Sequence, residues 1–201
     1  MNPRKTPVQA RARATHDAIL EAAAQVISAG GLVGYNTNAV AERAGVSIGS
    51  LYQYFPNKDA LMVALIHRQQ AQQLHNLQSA VALLRDTGLE ATVRLLVRSA
   101  MQHHRENALL ASAIDHEEAR LPIADMLDDY LRQGGGLIAS LFEQHRKAIG
   151  VIDPERAART IPALVRAIVD SWANRTPPQL DIAEDEAVKA VLGYLRNGAQ
   201  L

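Results

Sequence analysis

Residues 37–55 read Thr37-Asn38-Ala39-Val40-Ala41-Glu42-Arg43-Ala44-Gly45-Val46-Ser47-Ile48-Gly49-Ser50-Leu51-Tyr52-Gln53-Tyr54-Phe55. Their pattern predicts two short helices, Thr37 to Ala44 and Ile48 to Tyr54, joined at Gly45-Val46-Ser47, which is a helix-turn-helix. Asn36 and Ser47 are the expected N-caps, because their side-chain oxygens can accept from the orphan amides of each opening turn. Ala41 is small where the helices cross, and Gly45 suits a left-handed backbone that a Cβ penalises. Val40, Val46 and Leu51 would close a miniature core. Ser47, Gly49 and Ser50 leave little bulk at the start of the second helix, so that end can approach a phosphate backbone closely.

Around this motif the chain reads as helical throughout. A stripe of Ile19, Ala22, Ala23, Val26 and Ile27 predicts a first helix from Val8 to Ala29, stopped by Gly30-Gly31. Asn57 caps a long helix whose buried side is Leu61, Leu65, Leu74, Leu77, Val81 and Leu84. Thr87-Gly88-Leu89-Glu90 fits a capping box opening a helix to about Asn107. A shorter segment covers Ala108 to Glu118. Pro122 suits the first turn of a helix to about Ile149, in which Gly134-Gly135-Gly136 predicts a bend. Asp153-Pro154-Glu155 begins a helix to about Ala173 that Pro162 interrupts, and Asp181 with Glu184 begins the last, to about Arg196.

Composition supports this all-α reading. The 201 residues are 48% hydrophobic but only 4% aromatic, with no Cys, which removes disulfides, thiolate metal sites and a cysteine nucleophile. No stretch approaches the roughly 18 consecutive apolar residues of a membrane span, and the N-terminus lacks an apolar signal core, so a soluble cytoplasmic protein is expected. The 21 basic and 21 acidic residues cancel, but not evenly. Residues 1–60 hold six basic against four acidic groups, and Met1 to Ala14 carries four basic residues and no acidic one, an arm attracted to phosphate.

These residues resemble the tetracycline-repressor (TetR) family of bacterial transcription regulators. The resemblance rests on Ala44-Gly45-Val46-Ser47, Gly49-Ser50-Leu51-Tyr52, Tyr54-Phe55, Lys58 and Leu61, after a helix carrying Ile19-Leu20-Glu21-Ala22-Ala23, and covers about residues 11–66. The chain departs from the family pattern in Asn36 and Asn38, where hydroxyl residues are common, and in Gly34-Tyr35. The resemblance implies a DNA-binding helix-turn-helix domain over residues 1–56 and a ligand-binding and dimerisation domain over residues 57–201. It implies a homodimer on a near-palindromic double-stranded DNA operator, acting as a repressor released by a small-molecule inducer. Carried onto this chain, Ser47, Ile48, Gly49, Ser50 and Gln53 face bases, Gln53 being the long amide suited to adenine. Thr37, Tyr52, Tyr54 and Lys58 contact phosphate, while Leu51 and Phe55 belong to the core.

The effector is expected among the middle helices, against Met101, His104, Asn107, Ile114, Met126, Tyr130, Phe142 and Trp172, as a partly apolar, neutral or cationic molecule. Dimerisation is expected through Leu164, Val165, Ile168, Val169 and Trp172 on one late helix and Val188, Val191, Leu192 and Leu195 on the other. Two other readings compete: a helical hydrolase or metal protein, and a regulator that answers to a partner protein. The first lacks its signatures. His116-Glu117-Glu118-Ala119-Arg120 has no second His for a zinc-binding helix, and no nucleophile elbow or phosphate-cradling Gly motif occurs. No catalytic residue, metal ligand or cofactor is therefore assigned.

Overall fold

The computed structural model describes residues 7–84, 87–147, 149, 153–173, 175 and 178–197. Arg4 and Lys5 of the basic arm lie outside these. Among the described residues the chain forms nine helices and no strand: α1 (Pro7–Gly34), α2 (Thr37–Ala44), α3 (Ile48–Tyr54), α4 (Lys58–Leu83), α5 (Leu89–Glu106), α6 (Ala108–Arg120), α7 (Ala124–Gln144), α8 (Pro154–Ala173) and α9 (Leu180–Asn197). None of these helices is long and apolar enough to cross a membrane.

The helices form two compact units. The first takes Met1–Arg68 together with Asn107–Ile123, and the second takes Gln69–Glu106 with Ala124–Leu201. The units do not follow the 56/57 boundary expected from sequence. The chain passes between them within α4, and α6 packs with the N-terminal helices. The physical reason is a set of contacts distant in sequence.

In the first unit α1 packs on α2 and on α6. Ile19, Leu20, Ala23 and Ile27 of α1 are buried, as are Leu61, Met62, Leu65 and Ile66 of α4. α1 is kinked within its span at Gly31, whose φ of 59° is in the left-handed region. Asn107 caps α6, accepting from the Leu110 amide at 3.0 Å, while its Nδ2 donates to Ser28 Oγ on α1 at 2.5 Å. Both polar ends of Asn107 thus hold α6 in place.

In the second unit α9 packs on both α8 and α5, and α7 packs on α8. The core runs from Val93, Val97 and Met101 of α5 to Val188, Val191 and Leu195 of α9. Three local expectations change here. Thr87 does not close a capping box: its hydroxyl pairs with that of Thr92 at 3.0 Å, and Thr92, fully buried, pairs in turn with His145 Nε2 at 3.0 Å. A buried hydroxyl must find a partner, and this one pairs with Thr87 just before α5 and with His145 just after α7. The run Gly134-Gly135-Gly136 produces no interruption, since α7 continues through it, and Gly134 lies against Leu77 of α4. Likewise α8 continues through Pro162.

Glu184 of α9 is the electrostatic centre of this unit. Its side chain is buried and accepts from Arg94 Nη1 at 3.2 Å, Arg98 Nε at 2.8 Å and Arg105 Nη2 at 3.1 Å, all on one face of α5. A buried carboxylate persists only with such partners.

Candidate nucleic-acid interface

The helix-turn-helix is built by local chemistry. Asn36 Oδ1 accepts from the Ala39 amide at 2.9 Å and Ser47 Oγ accepts from the Ser50 amide at 3.1 Å, so each helix begins at its cap. Gly45 ends α2 with φ 66° and ψ 31°, its amide and that of Val46 closing on the last carbonyls. Val40, Leu51 and Phe55 are buried between the helices, while Val46 is half-buried.

Burying Leu51 and Phe55 sets the register of α3 and determines what faces outward. Ser47, Ile48, Gly49, Tyr52 and Gln53 are exposed, with Ile48 at 38% and Tyr52 at 47%; Ser50 and Tyr54 are half-buried. Ser47 Oγ also donates to Ser50 Oγ at 3.0 Å, so these two hydroxyls form one polar patch. Thr37 and Tyr52, 15 residues apart, meet hydroxyl to hydroxyl at 3.2 Å. This pairing brings two of the residues assigned to phosphate onto one edge.

Lys58, exposed at the start of α4, has its Nζ 4.8 Å from the centre of the Tyr35 ring, and its carbonyl accepts from Tyr35 Oη at 3.1 Å. Burial, reinforced by Glu117 and Asp59, pushes the Tyr35 phenol well above its ordinary range, so it stays a donor. Next to it, Arg120 of α6 bonds Asp59 at 2.5 Å and Glu117 at 2.5 and 2.8 Å, and this hydrogen bonding holds the Asp59 carboxyl below its usual range. His16 of α1 lies against Phe55 at 5.0 Å between ring centres and meets Tyr54 edge-on at 6.4 Å. Sequence reasoning missed Tyr35, His16 and the Arg120 clamp. No spacing rule joins residues 23 or 61 positions apart.

The description "Bacterial regulatory proteins, tetR family" matches residues 19–65, and "Tetracyclin repressor-like, C-terminal domain" matches residues 88–195, more than half of the chain. The chain belongs to the TetR family. The N-terminal match contains the whole helix-turn-helix, Thr37 to Tyr54. The HTH-type transcriptional repressor KstR of Mycolicibacterium smegmatis is 45% identical over 51 residues, 25% of each chain, so the match spans about a quarter of that relative. The HTH-type transcriptional repressor DrrR1 of Streptomyces coeruleorubidus is 25% identical over 197 residues, covering 85% of this chain and 69% of that one. Among solved structures, the fatty acid degradation regulator FadR of Bacillus halodurans shares the fold at a TM-score of 0.70 and 23% identity, over 90% of this chain and 99% of that one.

The residues assigned to the TetR effector site do not all fall in one unit. Asn107 and the buried Ile114 belong to the first. In the second, Met101 and Phe142 are buried in a common core against which Trp172 packs, and Met126 and Tyr130 are half-buried on α7. His104 is buried, and its ring lies 4.2 Å from that of His103. Burial holds both imidazoles below their ordinary range, His103 at about 4. Trp172 Nε1 donates to Glu186 at 2.9 Å, with the Arg175 guanidinium 4.5 Å from its ring centre.

Of the residues assigned to dimerisation, Val165, Val169, Val188, Val191, Leu192 and Leu195 are buried inside their own chain, whereas Leu164, Ile168 and Trp172 are only half-buried. The first six are already covered before any second copy arrives.

Proposed function

We propose that this TetR-family regulator is a repressor that binds a near-palindromic operator as a cytoplasmic homodimer and is released by a small-molecule effector. The observation that carries the reading is the exposed face of α3: small and polar residues Ser47, Gly49 and Ser50 lead to the long amide Gln53, over a buried Leu51 and Phe55. Ser47, Ile48, Gly49, Ser50 and Gln53 then meet base edges, and Thr37, Tyr52, Tyr54 and Lys58 meet phosphates. Two relatives bear the name of transcriptional repressors, which supports repression over activation.

The dimer pairs α8 and α9 with their symmetry mates, through the flank that still shows Leu164, Ile168 and Trp172 rather than through the valines already enclosed. The effector acts from among the second unit's helices, where Met101, His104, Met126, Tyr130, Phe142 and Trp172 lie. Two reading heads must stand about 34–36 Å apart, or a multiple of this, to meet successive major grooves. A tenfold loss of operator affinity therefore needs only about 1.4 kcal/mol of differential ligand binding between the two dimer states.

Selection of DNA from a random pool by the purified protein, with no metal added, tests the reading. An enriched inverted repeat is expected; no enrichment over bulk DNA refutes it. Light scattering of Ile168→Asp tests the interface, since a mass that stays dimeric excludes this placement.

A further inference from the structure

Resting on the reading of the second unit as effector-sensing, we propose that a groove between α4, α5 and α9 binds a small monocarboxylate, anchored by Arg98. The groove encloses about 480 Å³, a volume suited to a small molecule. None of the eight residues expected at an effector site lines it, so it is a different place on the protein.

The outward-facing donors of Arg98 and Arg105 decide what the groove takes. Glu184, on one wall, is buried, and three of its roughly four acceptor positions are filled by Arg94, Arg98 and Arg105. The arginines are not saturated in return. Arg98 engages Glu184 through Nε, and among the described residues its two terminal amino groups have no partner, although the side chain is 60% exposed. Arg105 uses one amino group for both Asp181 and Glu184 and keeps Nε and Nη1. These N–H groups face solvent and can exchange water for the oxygens of a bound acceptor.

The Glu184 pairing also fixes the Arg98 guanidinium, so a planar two-oxygen group can dock on its outer edge without first ordering the side chain. Charge selects among anions. Arg98 and Arg105 are balanced within the groove by Glu184 and Asp181, so attraction rests on the directional hydrogen bonds of the Arg98 fork rather than on net charge, and a dianion suffers more repulsion from the two carboxylates than a monoanion does. A monocarboxylate fits better than a phosphate. Leu95 and Ala80 offer apolar contact to its body, and the Ser99 hydroxyl offers a further polar contact.

Titration calorimetry of the full-length protein with hexanoate, decanoate and benzoate, each against its primary amide, tests the proposal. At least one acid should saturate the protein tenfold or more tightly than its amide. Arg98→Lys retains a cation beside Glu184 but loses the fork, and should weaken that acid at least tenfold with an unchanged melting temperature. Leu95→Phe fills the groove without touching a charge and should also block it, which keeps the test decisive if Arg98→Lys unfolds. Acids that bind no better than amides, or binding that survives both changes, overturn the proposal. The operator arm separates the two readings: a carboxylate that binds in the groove without altering operator affinity upholds the site while counting against its effector role. Release from operator by some other compound, with no carboxylate bound, upholds the effector reading and sinks the groove.

Discussion

The helix-turn-helix and the α5–α9 face are held by interactions of opposite range, and they differ accordingly in how much each residue matters. In the first, the caps Asn36 and Ser47 act three residues away, and a few side chains such as Leu51 fill the small core. In the second, Glu184 gathers three arginines 79 to 90 residues distant, each of them more than a third exposed. A short-range motif concentrates its stability in single residues. A long-range network spreads it, because losing one partner leaves the others in place.

The largest effect that could break this contrast is truncation of Leu51, which is fully buried. Leu51→Ala should cost about 2–5 kcal/mol in urea unfolding and abolish operator binding. A loss below about 1 kcal/mol would show that the helix-turn-helix core is as distributed as the α5–α9 face. Next comes Gln53→Ala, which should lower operator affinity by about 1–3 kcal/mol and relax preference at one base pair, leaving unfolding unchanged. An unaltered base-preference profile would remove Gln53 from the reading set.

Glu184→Gln should cost only about 1–2 kcal/mol, because Arg94 keeps Asp185, Arg105 keeps Asp181, and water solvates the exposed Arg98. Measured operator preference should not change. A loss as large as that of Leu51→Ala would make Glu184 a keystone and erase the contrast.

The last effect vanishes at neutral pH, where His103 is uncharged in both states, and shows only as a slope of stability against pH on acidification. His103 in the folded chain titrates at about 4 instead of 6.5, first because it is buried and second because of His104. Between those values the unfolded chain binds a proton that the folded chain refuses, so stability falls as pH drops from about 6.5 to 4 and this contribution levels off below. His103→Gln should flatten that portion of the curve. An unchanged slope would show that His103 contributes nothing to it.

Much of the fold was legible in the sequence where its causes are local. The bounds of α2 and α3 follow from Asn36, Gly45 and Ser47 as read, and Asn57 caps α4, accepting from the Ala60 amide at 2.8 Å. The glycines of α7 misled because helix propensity is a weak force beside packing, and Gly134 rests against Leu77. Thr87 misled because a capping box competes with a buried hydroxyl, and Thr92 claimed it.

The sequence by itself determined the all-helical class, the helix-turn-helix and the residues on its outer face, because caps, glycine backbone and helical periodicity act within a turn or two of chain. Only the tertiary structure decided that α6 joins the unit of the helix-turn-helix through Ser28 and Asp59, and that the valines expected at a dimer interface are enclosed within their own chain. It alone assembled Arg98, Arg105 and Glu184 into one groove. Those choices depend on which side chains meet across many tens of residues, and that pairing is fixed by the burial of charge and apolar surface over the whole chain.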